Sequence, residues 1–459
     1  MNLIIKNGTI VTAHETYKGD IGIENQKIVK LGDLSKDYAD SYIDADGKYI
    51  FPGIIDVHTH INHWGGGAKT NDDFFTGSRS AAFGGVTTFI DFAMQKNDEE
   101  VTEAIKRRRE EADGKVCIDY SLHANLTNLT DKSLNAIPEL INDGYSTFKL
   151  FMTYRKAGFM VEDAIFYQVM DKVNKNGGMV GIHAENDSIC EYLTNKYVKE
   201  GFVTPEYHAE SRPNIAEAEC ISKAILFAEY TKSPLYIYHL TTAEGAKLVK
   251  EARAKGLPIF AETCPHYLVL TKEKYREENG QDYIMTPPLR EEKDIEALWE
   301  GIKEGDISVV SSDHCSYNTK QKELGKGCFK DVTPGIPGTE TLLPIMYQFG
   351  VNKGRISLNK LIELLCYNPA KIFGMYPNKG NIVIGADADI VIFDPEKRVT
   401  LCKETIHMAT DYTPFDGIEV KGYPEKVISR GKVIVSNGQF YGIEGYGVFI
   451  ERKKPILRL

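Results

Sequence analysis

Ile54-Ile55-Asp56-Val57-His58-Thr59-His60 sets the pattern for the middle of the chain: a short run, apolar on both faces, that leads into histidine. Seven runs of the same kind follow. They are Thr87-Thr88-Phe89-Ile90-Asp91, Ile118-Asp119-Tyr120-Ser121-Leu122, Thr147-Phe148-Lys149-Leu150-Phe151 and Met179-Val180-Gly181-Ile182-His183. Then come Leu235-Tyr236-Ile237-Tyr238-His239, Ile259-Phe260-Ala261-Glu262-Thr263 and Ser308-Val309-Val310-Ser311-Ser312-Asp313. Strands covered on both faces read as continuous apolar runs rather than as strict alternation. Between them lie charge-faced segments of helical period, such as 99–112, 215–230 and 243–255. Eight β-α steps in order predict an α/β protein, a (β/α)8 TIM barrel. The structural alternative, a doubly wound open sheet, has fewer strands and a glycine-rich first turn.

The two ends of the chain read differently. Ile4-Ile5-Lys6-Asn7-Gly8, Ile10-Val11, Ile21-Gly22-Ile23-Glu24-Asn25 and Ile28-Val29 are short β-rich runs with Asn-Gly and Asn-Gln steps suited to hairpins. The tail has the same style in 388–394, 427–432 and 433–435. Both ends are predicted to pair into a small β-sandwich domain of residues 1–50 plus 378–459, leaving 51–377 to the barrel.

Composition narrows the function. The 42% hydrophobic and 26% charged content of the 459 residues excludes a disordered or collagen-like chain. A net charge of −10 argues against a nucleic-acid partner. There is no apolar run long enough to span a membrane, and the first twenty residues are too polar for a signal peptide. The eight cysteines contain no C-x-x-C pair, which fits reduced thiols and a cytoplasmic protein.

Ionisable residues gather where the barrel reading places strand ends. His58 and His60 flank the end of the first strand, and Lys149 lies inside the fourth. His183 and His239 end the fifth and sixth, and Asp313 ends the eighth. A lone strand-end histidine is an ordinary rim residue, but six such groups on one barrel face predict a metal site. Imidazole and carboxylate donors suit Zn2+ best, with Mn2+, Co2+, Ni2+ or Fe2+ feasible. A protonated lysine beside a divalent cation is repelled. The amine could be neutral, could turn away, or could react with CO2 to give a carbamate able to bridge two metals.

This ordered set resembles the cyclic amidohydrolases of the amidohydrolase superfamily, in the dihydropyrimidinase/D-hydantoinase branch. The resemblance spans essentially the whole chain. It includes Asp72-Asp73-Phe74, 82–88, Phe148 to Tyr154, His183-Ala184-Glu185-Asn186, Glu262-Thr263-Cys264-Pro265, Met285 to Arg290, Ser312-Asp313-His314-Cys315 and 385–389. It implies two divalent metal ions, one held by His58, His60 and Asp313 and the other by His183 and His239, with N6-carboxylated Lys149 between them. It further implies hydrolysis of the ring amide of hydantoins or 5,6-dihydropyrimidines to N-carbamoyl amino acids. The hydroxide between the metals is the attacking group. Asp313 would serve as general base and then acid, and Tyr154 as the donor to the oxyanion. Thr286 matches a substrate-binding position usually filled by serine. The second such position falls in Pro334-Gly335, where the family has an Asn-Gly step; Pro334 has no N–H and could offer only its carbonyl. The resemblance also implies a homotetramer or homodimer.

Other signals carry less. Gly65 to Thr70 lacks phosphate-loop spacing and reads as a mobile loop over the mouth. Trp64, Phe92, Phe151 and Phe159 read equally as pocket lining or as packing. Lys106 to Arg109, followed by Glu110-Glu111, reads as a solvated helix face. His266 and His314 match no ligand position and read as supporting residues. Asn62 stands where dihydroorotases carry arginine, which disfavours that activity. An allantoinase-type ureide hydrolase is the nearer alternative, but Tyr154 argues against it. A non-catalytic dihydropyrimidinase-like interaction protein would have lost ligands that this chain keeps.

Overall fold

The computed structural model describes residues 1–96 and 98–459. Eight parallel strands form one sheet in chain order: β1 (Ile54–Thr59), β2 (Val86–Ala93), β3 (Asp119–Asn125), β4 (Thr147–Phe151), β5 (Met179–His183), β6 (Leu235–Ile237), β7 (Ile259–Thr263) and β8 (Val309–Val310). Closure comes from just beyond β8, where His314 bridges Thr59 and its carbonyl accepts the His60 N–H at 2.7 Å. Every residue of these strands is buried, because two separate cores flank them. Inside the barrel, Val57, Phe92, Tyr236, Tyr238 and Phe260 pack against Phe373 from below. Outside, helices Val101–Ala112, Asn214–Thr231 and Ala243–Ala254 occupy the segments whose periodicity predicts them.

The turns at the barrel mouth are short, and polar side chains fix them. Asn186, three residues past the last strand residue of β5, caps helix Asp187–Lys199 by accepting the Ile189 N–H at 3.1 Å. Thr242 caps Ala243–Ala254 in the same way. A capped helix start fixes where the preceding strand must stop, and so holds His183 and His239 at the rim.

Both chain ends join in one nine-stranded sheet. Its junction is Tyr49–Pro52, which pairs parallel with Leu3–Val11 and antiparallel with Ile390–Thr400. The sheet curls over a core of its own, including Ile5, Ile10, Ile21, Ile50, Ile390 and Ile428, giving the β-sandwich beside the TIM barrel. The tail departs from its expected reading at one point. The run 427–432 is not a single strand, because Arg430 and Gly431 turn left-handed and separate Glu419–Ser429 from Lys432–Ser436.

A buried ion cluster links the two parts. Lys379 donates to Asp119 at the start of β3 (2.6 Å) and to Asp389 (2.5 Å), and lies 3.1 Å from Asp387. Burial alone would depress its pKa, but the three carboxylates hold it above the ordinary lysine range. The stabilisation is therefore complete at neutral pH and is lost only as alkali titrates the folded-state amine. Lys379→Met removes the cation shared by buried Asp119 and Asp389, leaving as cations, among the described residues, only Arg430 for Asp119 at 3.2 Å and Lys27 for half-buried Asp387 at 2.6 Å. It should cost about 3–5 kcal/mol, read as a lower urea midpoint; an unchanged midpoint would show that the cluster contributes nothing.

Candidate metal centre

The strands deliver the predicted ligands to one face. His58 lies in β1 with His60 two residues on, Lys149 lies mid-β4 opposite Gly181, and His183 closes β5 opposite Phe151. The sixth and eighth positions differ from the simple strand-end expectation. β6 stops at Ile237 and β8 at Val310, so His239 and Asp313 stand beyond them with φ of 38° and 47°. Tyr154 is also left-handed, at φ 66°. Non-glycine residues in this region cost roughly 1–3 kcal/mol each and collect at functional sites. Here the sharp turns bring His239, Asp313 and Tyr154 onto the same cavity as His60, Lys149 and His183.

The donor atoms converge. His58 Nε2 lies 3.2 Å from His60 Nε2 and 3.1 Å from Asp313 Oδ1, and His60 Nε2 lies 3.2 Å from the same oxygen. Tetrahedral bonds of about 2.0–2.1 Å to a zinc-like ion set ligand atoms about 3.3–3.4 Å apart, so this triangle fits one cation. Burial would raise the Asp313 pKa, yet His58 and His60 hold it well below the usual carboxylate range. Burial drives the His60 imidazole down to about 4 and His239 well below its ordinary value. Neutral imidazoles are what metal binding requires.

His183 and His239 form the second pair, with ring centroids 4.5 Å apart, and His239 lies 5.4 Å from the His58 ring. Among the described residues no carboxylate completes a three-donor group with them. Lys149 lines the same cavity as this pair. It is buried at 2% exposure, and its Nζ lies 3.2 Å from His58 Nε2, 4.2 Å from the centre of the Phe92 ring and 4.7 Å from that of Tyr238. No ion pair to Lys149 exists among the described residues. Burial pushes its amine down to about 8. This donor set fits a metal pair once the amine has become an anionic oxygen ligand.

Carboxylates that the sequence reading passes over orient the imidazoles. Glu262 takes the Nδ1 side of His58, freeing Nε2 for the cluster, and also accepts the His239 N–H at 3.2 Å and the Tyr236 hydroxyl at 2.8 Å. Glu185 binds His183 Nε2 at 2.6 Å, which leaves Nδ1 as the free ring nitrogen, and pairs with Arg212 at 2.9 Å. Asp56 accepts the Ser312 N–H at 3.0 Å and the Thr339 hydroxyl at 2.8 Å, steadying the segment before Asp313. His314 bonds Asp72 at 3.1 Å and accepts the Gly338 N–H at 3.1 Å, the supporting role expected of it. The usable signal was chemical: charged residues inside otherwise apolar strands, such as Glu262 in Ile259–Thr263.

A cavity of about 570 Å³ opens over these groups. It is lined by Tyr154, Thr286, Pro334 and Gly335 as well as by His60, Lys149, His183, His239 and Asp313, while His58 lies beneath. Gly335 has φ 139°, and a Cβ there would lie 2.8 Å from Cys315, so glycine is required. Its N–H is already donated to the Ile284 carbonyl at 3.0 Å. Phe151 and Phe159 line the cavity. Phe92 does not; it is packing, stacked on His60 with centroids 4.9 Å apart. Trp64 is 68% exposed and also lies outside the cavity lining. The glycine-rich run is a small hairpin, Trp64–Gly65 against Ala68–Lys69, whose Gly65 and Gly66 reach the rim.

A TIM barrel with four imidazoles, an aspartate and a buried lysine at one mouth defines a barrel metallohydrolase. The chain belongs to the amidohydrolase family, whose sequence profile matches residues 49–434, and within it to the hydantoinase/dihydropyrimidinase branch. It is 42% identical to D-hydantoinase of Geobacillus stearothermophilus over 99% of this chain and 97% of that protein. It superposes on the crystal structure of dihydropyrimidinase from Brevibacillus agri NCHU1002 with TM-score 0.97, 40% identity and 99% of each chain covered. The L-hydantoinase (dihydropyrimidinase) of Arthrobacter aurescens gives TM-score 0.91 at 30% identity, covering 98% of this chain and 99% of that one. The family implies a binuclear metal centre.

Glu262→Gln keeps the shape but weakens the hold on His58. Metal affinity should fall about 10–100-fold, measured by titrating metal into the stripped protein; unchanged affinity would deny Glu262 its orienting role.

Proposed function

We propose that this protein hydrolyses the ring amide of hydantoins or 5,6-dihydropyrimidines to N-carbamoyl amino acids. The observation that carries the reading is the convergence of His60, Lys149, His183, His239, Asp313 and Tyr154 on one cavity, in a chain related to hydantoinases over its whole length. His58, His60 and Asp313 would hold one divalent cation and His183 and His239 the other, with carboxylated Lys149 joining them. Bound there, the cations acidify water toward neutrality and polarise the scissile carbonyl. Zn2+ suits the donors best, with Mn2+, Co2+, Ni2+ and Fe2+ as further candidates.

The chain's own groups then divide the work. The neutral Lys149 amine attacks CO2, forms the N–C bond and releases a proton, which turns a buried neutral amine into a buried anion. The Asp313 carboxylate takes the proton of the attacking water and returns it to the departing ring nitrogen. Tyr154, whose phenol burial keeps protonated, donates to the oxygen that gains charge. The Thr286 backbone and the Pro334 carbonyl face the polar edge of the ring. The Gly335 N–H is engaged with Ile284, so this loop offers the ring acceptors rather than that donor.

The apolar residues Ile215, Leu226 and Tyr230, exposed on helix Asn214–Thr231, support a symmetric homotetramer or homodimer. Among the described residues no helix is long and apolar enough to cross a membrane, which is compatible with a cytoplasmic setting.

Turnover of hydantoin, dihydrouracil, allantoin and dihydroorotate on metal-quantified enzyme tests the reading. The first two should be opened and the last two left largely intact; the reverse order would overturn it. Lys149→Ala should lose both bound metal and activity, and full activity in that variant would reject the centre. Tyr154→Phe should keep its metal and lose about 10²–10³ in kcat; a parental kcat would remove Tyr154 from the mechanism.

A further inference from the structure

Lys322 sits in the short helix Thr319–Glu323, entirely buried and outside the cavity lining. Its amine donates to the Ile284 carbonyl at 2.7 Å and to the Thr333 carbonyl at 2.9 Å. Those two carbonyls immediately precede the stretches that line the cavity, Met285-Thr286 and Pro334-Gly335. Two further bonds knit the same region: Gly335 N–H to Ile284 O at 3.0 Å, and Thr333 Oγ1 to Gly66 O at 3.0 Å. The helix is itself anchored from outside, by Thr319 on Asp411 (2.8 and 2.6 Å) and by Gln321 on the Lys69 carbonyl.

We infer that Lys322 is a positioning residue that clamps segments 284–286 and 333–335 into one rigid edge for the substrate ring. Three observations favour this over simple core filling. No carboxylate pairs with Lys322 among the described residues, so the amine is not half of a buried ion pair. Burying an amine is unfavourable where an apolar side chain would pack, unless its hydrogen bonds are needed. Both of its acceptors belong to the ring-facing segments, which are remote from each other in sequence and are tied by this nitrogen in addition to the Gly335–Ile284 bond. Burial pushes the amine down to about 7, and even the neutral form keeps two N–H donors for the two carbonyls.

The inference rests on the proposed placement of the ring against Thr286 and Pro334. If Lys322 shapes that edge, its loss weakens ring binding equally in the ground and transition states. That raises KM and spares kcat.

The test is steady-state kinetics on metal-quantified Lys322→Met and Lys322→Arg, with hydrogen–deuterium exchange on the same samples. Lys322→Met should keep the parental metal content, raise KM about tenfold or more and hold kcat within about threefold. Exchange should quicken in 284–287 and 333–336 and stay unchanged in β1–β8. Lys322→Arg, which retains N–H donors, should recover part of the KM. An unchanged KM, a fall in kcat with KM constant, lost metal, or exchange that rises throughout the barrel would each overturn the inference. If Lys322→Met does not fold, Lys322→Gln carries the same test; failure of all three variants to fold makes the role structural and also overturns it. If the parent opens no cyclic diamide, the functional reading fails by itself, and the exchange data still judge the clamp.

Discussion

An ammonium ion has no good place at Lys149. The side chain is buried among Phe92, Tyr238 and Phe151, its hydrogen-bond neighbour is an imidazole nitrogen, and among the described residues no carboxylate pairs with it. A charge desolvated this far gives up its proton more readily: burial lowers the amine to about 8, so a neutral fraction is within reach near neutral pH. A neutral amine is a nucleophile, and the carbamate proposed to form from it would supply the anion that His183 and His239 lack. On that proposal, one unfavourable burial accounts for the position of the lysine and for the incompleteness of the second imidazole pair.

Around that point the barrel is built to hold lone pairs in fixed directions. Glu262 and Glu185 each occupy one ring nitrogen of a histidine and so decide which nitrogen faces the cluster. Glu262 does this while also receiving the backbone N–H of His239, so one carboxylate holds both His58 in β1 and His239 just beyond β6. Asp56 and His314 anchor the stretch on either side of Asp313. The left-handed turns at His239 and Asp313 cost backbone energy, and these bonds keep the turns in place. Burying so many carboxylates is unfavourable unless each is fully engaged. The order at the mouth is therefore carried by polar bonds, with the apolar barrel beneath as a rigid base.

Much of this was legible in the chain itself. Strands covered on both faces announce themselves as apolar runs, and an ionisable residue at the end of such a run has few structural reasons to be there. That logic named the residues that the structure gathers at one barrel mouth, and it gave the order of the barrel. It could not locate the partners, because a hydrogen bond such as His58 to Glu262 joins residues 204 apart, and spacing carries no trace of it. Lys322 was invisible for the same reason: in sequence it is one of several lysines in a polar stretch, and only its two carbonyl partners distinguish it. The left-handed turns at His239 and Asp313 were hidden because ordinary strand patterning runs up to them without a glycine. The 65–70 hairpin leaves little trace in sequence because it is held by few residues and by contacts to distant rims, such as Tyr317 to Gly65 at 3.0 Å.

The most direct measurement is a crystal structure of the purified enzyme with anomalous diffraction at the edge of the bound metal. The account predicts two peaks at the barrel mouth, with density for a carboxyl group on the Lys149 nitrogen lying between them. A bare Lys149 amine beside a single peak, or beside none in active enzyme, would contradict it.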